Sequence, residues 1–157
     1  MRWVTTPKLR INRAATVWLI RRFIDPEATF AFVDEAAVAA EEAQGAIGFH
    51  AKGARYPKRD GAGRTSFEAL VAERCGDDPA LVRMARIIHD ADAPPTERIP
   101  EPEAAGLRLI SAFFPEVAAG DEEIVEKSAF LYDALYAGLA RRRGVGRAGS
   151  EVAVAHG

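Results

Sequence analysis

Three short β-prone runs alternate with two helical segments in the first third of the chain, and this alternation constrains the fold more than any other feature. The runs cover Arg2–Thr6, Thr29–Val33 and Ala46–His50. A β-α-β-α-β order is typical of a small sheet with helices packed against it. The sequence therefore predicts an α/β fold, with α+β as the alternative, and a sheet of about three strands in the N-terminal third.

The helical segments between these runs have recognisable ends. Asn12 can cap a helix over Arg13–Ile24, which stops before Asp25 because the residue preceding a proline avoids the α region. The second segment lies between Asp34 and Gly45, is rich in Ala and Glu, and ends at a glycine. Each predicted helix thus connects two consecutive strands.

The rest of the chain is expected to be helical. Ser66 is the expected cap of the first helix in this half. The helices are predicted over Ser66–Cys75, from Pro79 to the Pro94-Pro95 pair, over Ala104–Phe114 and over Glu122–Arg143. A chain of 157 residues suits one domain. We assign that domain to residues 1–143 and expect a flexible tail over residues 144–157.

Composition excludes several classes of function. The 21 basic and 23 acidic residues give a net charge of −2, so no bulk attraction to nucleic acid or to a membrane surface is expected. Cys75 is the single cysteine, which excludes an internal disulfide and any multi-cysteine metal site within one chain. We recognise no signal peptide and no apolar run that could span a bilayer, and we expect a cytoplasmic location.

A Gly-rich basic loop follows the third β-prone run. Residues 52–64 include three glycines and five cations, which are Lys52, Arg55, Lys58, Arg59 and Arg64. The side chains and backbone N–H groups of such a loop could wrap a dianion. The spacing does not match a nucleotide-binding P-loop, and a solvated surface loop is the alternative interpretation.

The first predicted helix offers further cations. Arg13, Arg21 and Arg22 lie on it together with Trp18. A guanidinium presents a fork of donors that matches an oxyanion, and Trp18 would form one wall of such a site. Arg21 and Arg22 are about 100° apart around a helix, so at most one of them can share its apolar face. The alternative is that both are solvated.

Three further residues are candidates for acid–base chemistry. His50 ends the third run beside the basic loop, and His89 and Asp92 are spaced so that they can meet on one helix face. Two ligands are too few to predict a metal. We therefore expect neither a metal nor a cofactor.

The run from Asn12 to Asp25 resembles the signature helix of ChrB-type chromate resistance proteins. It reads N-R-A-A-T-V-W-L-I-R-R-F-I-D here, against approximately D-R-I-A-C-P-W-L-I-R-R-F-I-D in that family. The resemblance spans roughly residues 3 to 140 and continues through Ala28–Phe30, Gly48-Phe49, Ser66–Leu70, Asp78–Leu81, Ala91-Asp92 and Leu131–Tyr136.

The resemblance implies a C-terminal, chromate-responsive domain of proteins whose longer members carry a DNA-binding-like region and regulate chromate-resistance operons. This chain begins at that domain, so no direct nucleic-acid binding is expected. The family's Asp, Cys and Asp positions are Asn12, Thr16 and His50 here, and the His and Cys that precede the Phe-Glu-Ala-Leu helix are missing. A metal or thiol mechanism is therefore doubtful in this chain, whereas the arginines of the signature helix are retained.

Our leading hypothesis is a stand-alone ChrB-like domain, involved in chromate resistance, that binds or senses a small tetrahedral oxyanion such as chromate or sulfate. The predicted ligand-binding residues are Arg13, Trp18, Arg21, Arg22, His50, Lys52, Arg55, Arg64 and Asp92. One alternative is an enzyme that acts on a small anionic substrate through a His/Asp acid–base site, with catalytic residues left unassigned. The other is a regulatory module that binds a protein partner or a second copy of itself.

Overall fold

A computed structural model describes the backbone of residues 1–155 and the side chains of residues 1–141. The strands are β1 (Arg2–Thr5), β2 (Thr29–Phe32) and β3 (Ile47–Gly48). The helices are α1 (Ile11–Leu19), α2 (Glu35–Ala43), α3 (Ser66–Arg74), α4 (Pro79–Asp92), α5 (Ala104–Ala112), α6 (Phe114–Val117) and α7 (Asp121–Ala155). The predicted α/β fold, a small sheet followed by a helical second half, is confirmed.

The three strands form one parallel sheet in the order β2-β1-β3. The central strand places Trp3 opposite both Phe30 and Ile47. The third strand is shorter than predicted and ends at Gly48. Phe49 forms an isolated bridge with Tyr56, while its N–H still donates to the carbonyl of Val4 at 3.0 Å. The carboxyl ends of β1 and β3 remain joined where Thr5 Oγ1 donates a hydrogen bond of 2.7 Å to the carbonyl of Phe49.

The sheet has a core on each face. Trp3 belongs to the main core, which is closed by α1, α3, α4 and α7. Val4, the next residue of the strand, packs instead with Val38 of α2 in a small second cluster. Side chains alternate between faces along a strand, so two adjacent residues of β1 anchor the two helical layers. The chain therefore leaves β1 and β2 toward opposite faces of the sheet.

The predicted limits of α1 are partly wrong. The residue that precedes it is Arg10, which makes no side-chain cap, and Asn12 lies inside the first turn at 2% exposure. Asn12 is therefore a buried polar group of the helix and not its cap. The helix continues as one π-helical turn over Ile20–Ile24 and ends at Asp25, at the Asp-Pro pair that predicts its end.

The later helices begin at capping residues. Thr65, not the predicted Ser66, caps α3, and its hydroxyl and the carboxylate of Glu68 form a reciprocal capping box. Asp78 caps α4 just before Pro79, as the proline indicates. Ser66 does not cap the helix, and its hydroxyl donates instead to Asn12 on α1.

The last predicted helix is present and longer than expected. The sequence predicts it over Glu122–Arg143, and α7 is described over Asp121–Ala155. The tail expected over residues 144–157 lies outside the part of the chain whose side chains are described, and it stays a prediction. Among the described residues, no helix combines the length and apolarity needed to cross a bilayer.

Candidate anion site at the carboxyl edge of the sheet

Sheet order creates a crevice at the carboxyl ends of β1 and β3. The β2-β1-β3 order places these two ends side by side, and α/β sheets bind ligands beyond the carboxyl ends of their strands. The loop after β1 leads into the first turn of α1, which carries Asn12 and Arg13, and His50 follows β3. Ser66, at the start of α3, contacts this group. We call Asn12, Arg13, His50 and Ser66 the edge cluster.

A buried hydrogen-bond chain forms the floor of the edge cluster. Asn12 Oδ1 accepts a hydrogen bond of 2.9 Å from Ser66 Oγ, and the hydroxyl of Ser66 is 3.5 Å from His50 Nδ1. The Nδ2 group of Asn12 is also buried and has no partner among the described residues. An unpartnered buried donor is costly and usually indicates a missing ligand, ion or water.

His50 has an unusual backbone and an unusual proton affinity. Its φ is +51°, in the left-handed region that non-glycine residues seldom adopt. Burial lowers the pKa of His50 to about 4, and the cations Arg13, Lys58 and Arg59 act in the same direction, while Asp92 opposes them. The imidazole is therefore neutral at neutral pH, with one nitrogen that donates and one that accepts.

Arg13 holds the loop that follows β1. Its Nη1 donates to the carbonyl and hydroxyl oxygens of Thr6 at 2.8 and 2.7 Å and to the carbonyl of Pro7 at 2.6 Å, and its Nη2 donates to the carbonyl of Lys8 at 3.0 Å. Burial lowers the pKa of Arg13, yet an arginine stays protonated in proteins. Of the five N–H groups, those on Nε and one on Nη2 have no partner among the described residues.

The second half of the basic loop lies against the edge cluster. Arg59 Nη2 is 2.9 Å from the carboxylate of Asp92, at the end of α4. Lys58 is exposed and close enough to act on the pKa of both His50 and Glu35. Lys58 and Arg59 therefore add two positive charges to that of Arg13 around His50.

A cavity of about 160 Å³ lies at the first turn of α1, beside the edge cluster. We call it the α1 cavity. Arg108 donates two hydrogen bonds of 3.1 Å to the carbonyls of Ala91 and Asp92 at the end of α4. The lining residues are Arg10, Ile11, Ala91, Asp92, Arg108, Ser111 and Ala112. Asp92 thus borders both the cavity and the cations of the edge.

Three predicted site residues have other partners. The indole N–H of Trp18 donates to Asp133 Oδ1 at 2.9 Å, and Arg22 pairs with the same carboxylate at 3.2 Å. Arg21 lies over the ring of Phe30 at 5.0 Å from its centroid. Trp18, Arg21 and Arg22 therefore belong to the contacts of α1 with α7 and β2, and the prediction that Trp18 walls the anion site has no support in these contacts.

The other predicted cations of the basic loop are exposed. The Arg64 side chain pairs with Asp60 at 2.8 Å, and Arg55 lies over the ring of Tyr56 at 5.6 Å. Lys52 contributes its backbone N–H, which donates to Glu35 at 2.7 Å. Of the residues predicted from the sequence, Arg13, His50 and Asp92 are the three that the structure brings together.

The predicted His89/Asp92 pair does not form. His89 Nδ1 instead lies 2.5 Å from Glu68, the carboxylate that also completes the cap of α3. Asp92 pairs with Arg59. The described residues contain no group of three or more His, Cys, Asp or Glu side chains placed to hold a metal.

Sequence reasoning misses several residues of the site. It interprets Asn12 and Ser66 as helix caps, although the family resemblance marks Asn12 as a position of chemical interest. It includes Lys58 and Arg59 in the basic loop without singling them out. Arg10 and Arg108 carry no local signal, because their proximity depends on how α1 packs against α5.

The fold and its crevice define a small α/β domain with a cluster of cationic and acidic side chains at the carboxyl edge of a parallel sheet. Residues 3–139 match the family described as ChrB, C-terminal domain, and the chain belongs to that family. It is 33% identical over 135 residues to Protein ChrB of Cupriavidus metallidurans, with 85% of this chain and 39% of that protein covered. No solved structure matches the chain significantly. The expected resemblance to the chromate-resistance family is confirmed.

Proposed function

We propose that this domain binds a small tetrahedral oxyanion, chromate or its isostere sulfate, in the crevice at the carboxyl edge of the sheet. The observation that carries the proposal is that two neighbouring residues of the edge cluster have donors without partners among the described residues. These donors are the Nδ2 group of Asn12 and two N–H groups of Arg13. An oxyanion accepts hydrogen bonds on all its oxygens, so it would satisfy donors that the protein leaves free.

Charge supports the same ligand. Arg10, Arg13, Lys58 and Arg59 contribute four positive charges, and Asp92, Glu35 and Asp121 contribute three negative charges close to them. The local excess is small, which suits a small anion better than a polyanion. Partial burial strengthens each contact, since electrostatic attraction grows as the local dielectric falls.

We further propose that oxyanion binding serves chromate sensing within the cytoplasm, without direct contact to nucleic acid by this domain. The chain spans 39% of the length of Protein ChrB, so a regulatory role of the whole relative is not transferred to it. The even charge balance supports a domain that responds to an anion and leaves DNA reading to another part.

Thermal-shift melting and isothermal titration with chromate, sulfate and phosphate test the proposal. A ligand present at 100 times its dissociation constant adds about 2.7 kcal/mol to the free energy of unfolding. The variant Lys58→Glu is expected to weaken binding about tenfold or more, which corresponds to about 1.4 kcal/mol, because it reverses a charge at the crevice. Its melting temperature should stay close to that of the wild type, since Lys58 is exposed.

The matched control is Arg21→Glu, which makes the same change in net charge at an exposed position over Phe30. It should leave oxyanion affinity within about twofold, since exposed charges beyond a Debye length are screened. Equal weakening by both variants would show that binding follows net charge and not this site. Charge reversal at Arg13 is a poorer test, because its guanidinium also holds the loop over residues 6–8.

A second candidate function is partner binding, which an exposed apolar face favours. The exposed side chains are Leu109, Ile110, Phe113, Val117 and Phe130, from α5, α6 and α7. Two of them, Ile110 and Val117, line a groove of about 360 Å³ that also includes Ile124 and Leu131. Contiguous apolar surface of this kind marks interaction sites. We propose a second copy of this chain as its partner.

Sedimentation at several concentrations tests that candidate. A dimer that dissociates in Val117→Asp, and persists in a control with Ile99→Asp, would support self-association through this face, because Val117 and Ile99 are 79% and 91% exposed. A monomer at all concentrations would contradict it.

The enzymatic alternative stays a prediction without a candidate nucleophile. The hydroxyl of Ser66, next to His50, is fully buried and donates to Asn12. His89 is engaged by Glu68. Because Ser66 and His89 are already bound to other side chains, these contacts favour a structural role for both over proton transfer to a substrate.

A further inference from the structure

The carboxylate of Asp92 is a conspicuous feature for an anion site. Its Oδ2 accepts from Arg59 at 2.9 Å, whereas its Oδ1 accepts no hydrogen bond from the described residues. The side chain is 25% exposed, and Asp92 is one of the residues that line the α1 cavity, together with Arg10 and Arg108. It also acts electrostatically on both Arg13 and His50. Any anion bound between these cations would meet a negative oxygen with a free lone pair.

A carboxylate has opposite effects on two kinds of tetrahedral oxyanion. It repels a fully deprotonated ion, and the contact leaves two acceptors facing each other. It attracts an ion that still carries one O–H group, since that group donates a charge-assisted hydrogen bond to the carboxylate. Sulfate carries no proton at neutral pH, whereas inorganic phosphate carries one or two protons there and chromate is present partly as hydrogen chromate.

His50 adds a second acceptor to the same crevice. Its imidazole is neutral, so one ring nitrogen keeps a lone pair. Nδ1 lies 3.5 Å from the hydroxyl of Ser66, and that hydroxyl already has an acceptor in Asn12. The site therefore combines donors on Arg13, Asn12, Lys58 and Arg59 with two acceptors that a bare dianion cannot satisfy.

We propose that Asp92 makes this site selective for singly protonated tetrahedral oxyanions, such as hydrogen chromate and hydrogen phosphate, over sulfate. The inference rests on the proposed oxyanion-binding function and specifies its ligand class. Selectivity of this kind arises from a repulsive element directed against the unwanted ligand as well as from attraction to the favoured one.

The charged groups around the crevice come from several elements. They are Arg10 and Arg13 on and before α1, Glu35 on α2, Lys58 and Arg59 in the basic loop, Asp92 on α4, Arg108 on α5 and Asp121 at the start of α7.

Titration of the wild-type chain with phosphate and with sulfate at about pH 6.5 is the direct test, with chromate as a third ligand. Phosphate should bind at least tenfold more tightly than sulfate. In Asp92→Asn the amide can still accept from Arg59 and can donate to a bare oxygen, so sulfate affinity should rise about tenfold and the preference should vanish. The matched control is Glu35→Gln, which removes one nearby negative charge outside the α1 cavity and should change both affinities by the same factor.

Each outcome has a distinct meaning. If no oxyanion binds to the wild type, the proposed function itself fails. If oxyanions bind and sulfate equals or exceeds phosphate, the function stands and the role of Asp92 is overturned. That role is also overturned if Asp92→Asn and Glu35→Gln raise sulfate affinity equally, because the effect is then one of net charge.

A measurement on the wild type alone covers the case in which Asp92→Asn fails to fold. Chromate affinity, expressed per total chromate, should fall severalfold between about pH 6 and pH 8 as hydrogen chromate gives up its last proton and the bare dianion, which Asp92 repels, becomes the main form. Sulfate affinity should stay constant within about twofold. Parallel curves for the two ions would overturn the proposal.

Discussion

The two ends of α1 use similar residues in opposite ways. At its C-terminal end, the indole N–H of Trp18 and the guanidinium of Arg22 share the carboxylate of Asp133, and Trp18 packs against Tyr132 and Tyr136. At its N-terminal end, the buried amide of Asn12 has an Nδ2 group without a partner among the described residues. One end satisfies its polar groups within the chain, and the other leaves donors unused.

This difference supports the proposal that the N-terminal end of α1 binds a ligand, whereas the C-terminal end stabilises the fold. Satisfied aromatic and ionic contacts hold α1 against α7 and need no ligand. The open end carries costs, namely an unpartnered buried amide and a left-handed His50, that a stable core alone would not retain. Costs of this kind concentrate at functional sites, since selection for binding maintains them. Whether an arginine of α1 can bind a ligand is therefore decided by the partners that its guanidinium already has.

The largest expected effect comes from breaking the aromatic end. Trp18→Ala removes a large side chain that is 4% exposed, and we expect the free energy of unfolding to fall by about 3–5 kcal/mol. Trp18→Phe should cost much less, because the freed carboxylate of Asp133 is half-exposed and can be hydrated. Urea denaturation of the three proteins measures this. A loss below about 1 kcal/mol for the alanine variant would contradict the structural role assigned to this end.

The second effect concerns the pH dependence of the polar end. The folded-state pKa of His50 is about 4, below its ordinary value of 6.5, so the unfolded chain binds the proton more readily. Stability that is fully present above about pH 6.5 is therefore lost progressively as the pH falls toward 4, by about 2–3 kcal/mol.

His50→Asn isolates this contribution. Asparagine does not titrate and tolerates a left-handed backbone, so the variant should lose less stability over the same pH interval. Urea unfolding at about pH 7.5 and about pH 4.5 compares the two chains, with loss from protonated carboxylates common to both. Equal losses in wild type and variant would refute a neutral, buried His50.

The smallest effect tests the cap that positions Ser66. Thr65→Ala removes the hydroxyl of the α3 capping box, and we expect a loss of about 1 kcal/mol in the free energy of unfolding. Thr65→Ser keeps the hydroxyl and is the matched control, with a smaller loss expected from the missing methyl group. Chemical denaturation provides the comparison, and identical losses in both variants would assign the effect to packing and not to the cap.

Sequence patterns are most informative where the signal is local. The alternation of strands and helices, the end of α1 at Asp25-Pro26 and the start of α4 at Pro79 follow from propensity and proline chemistry. The predicted caps are less accurate, because Asn12, Thr65 and Ser66 all have side chains that can cap. Tertiary packing decides that Thr65 is the cap of α3. It places Asn12 and Ser66 at buried positions where they are hydrogen-bonded to each other.

The sequence by itself determined the family, the α/β class and the presence of cations on α1 and in the loop after β3. The tertiary structure decided which of those cations lie close to one another. Residues 12, 50, 66 and 92 are far apart along the chain and meet because the β2-β1-β3 order places the ends of β1 and β3 side by side. Arg22 lies outside the candidate site because it pairs with Asp133, a residue of α7 that is distant in the sequence. Propensity and periodicity depend on neighbours in sequence, whereas hydrogen-bond partners and burial depend on which elements pack in space.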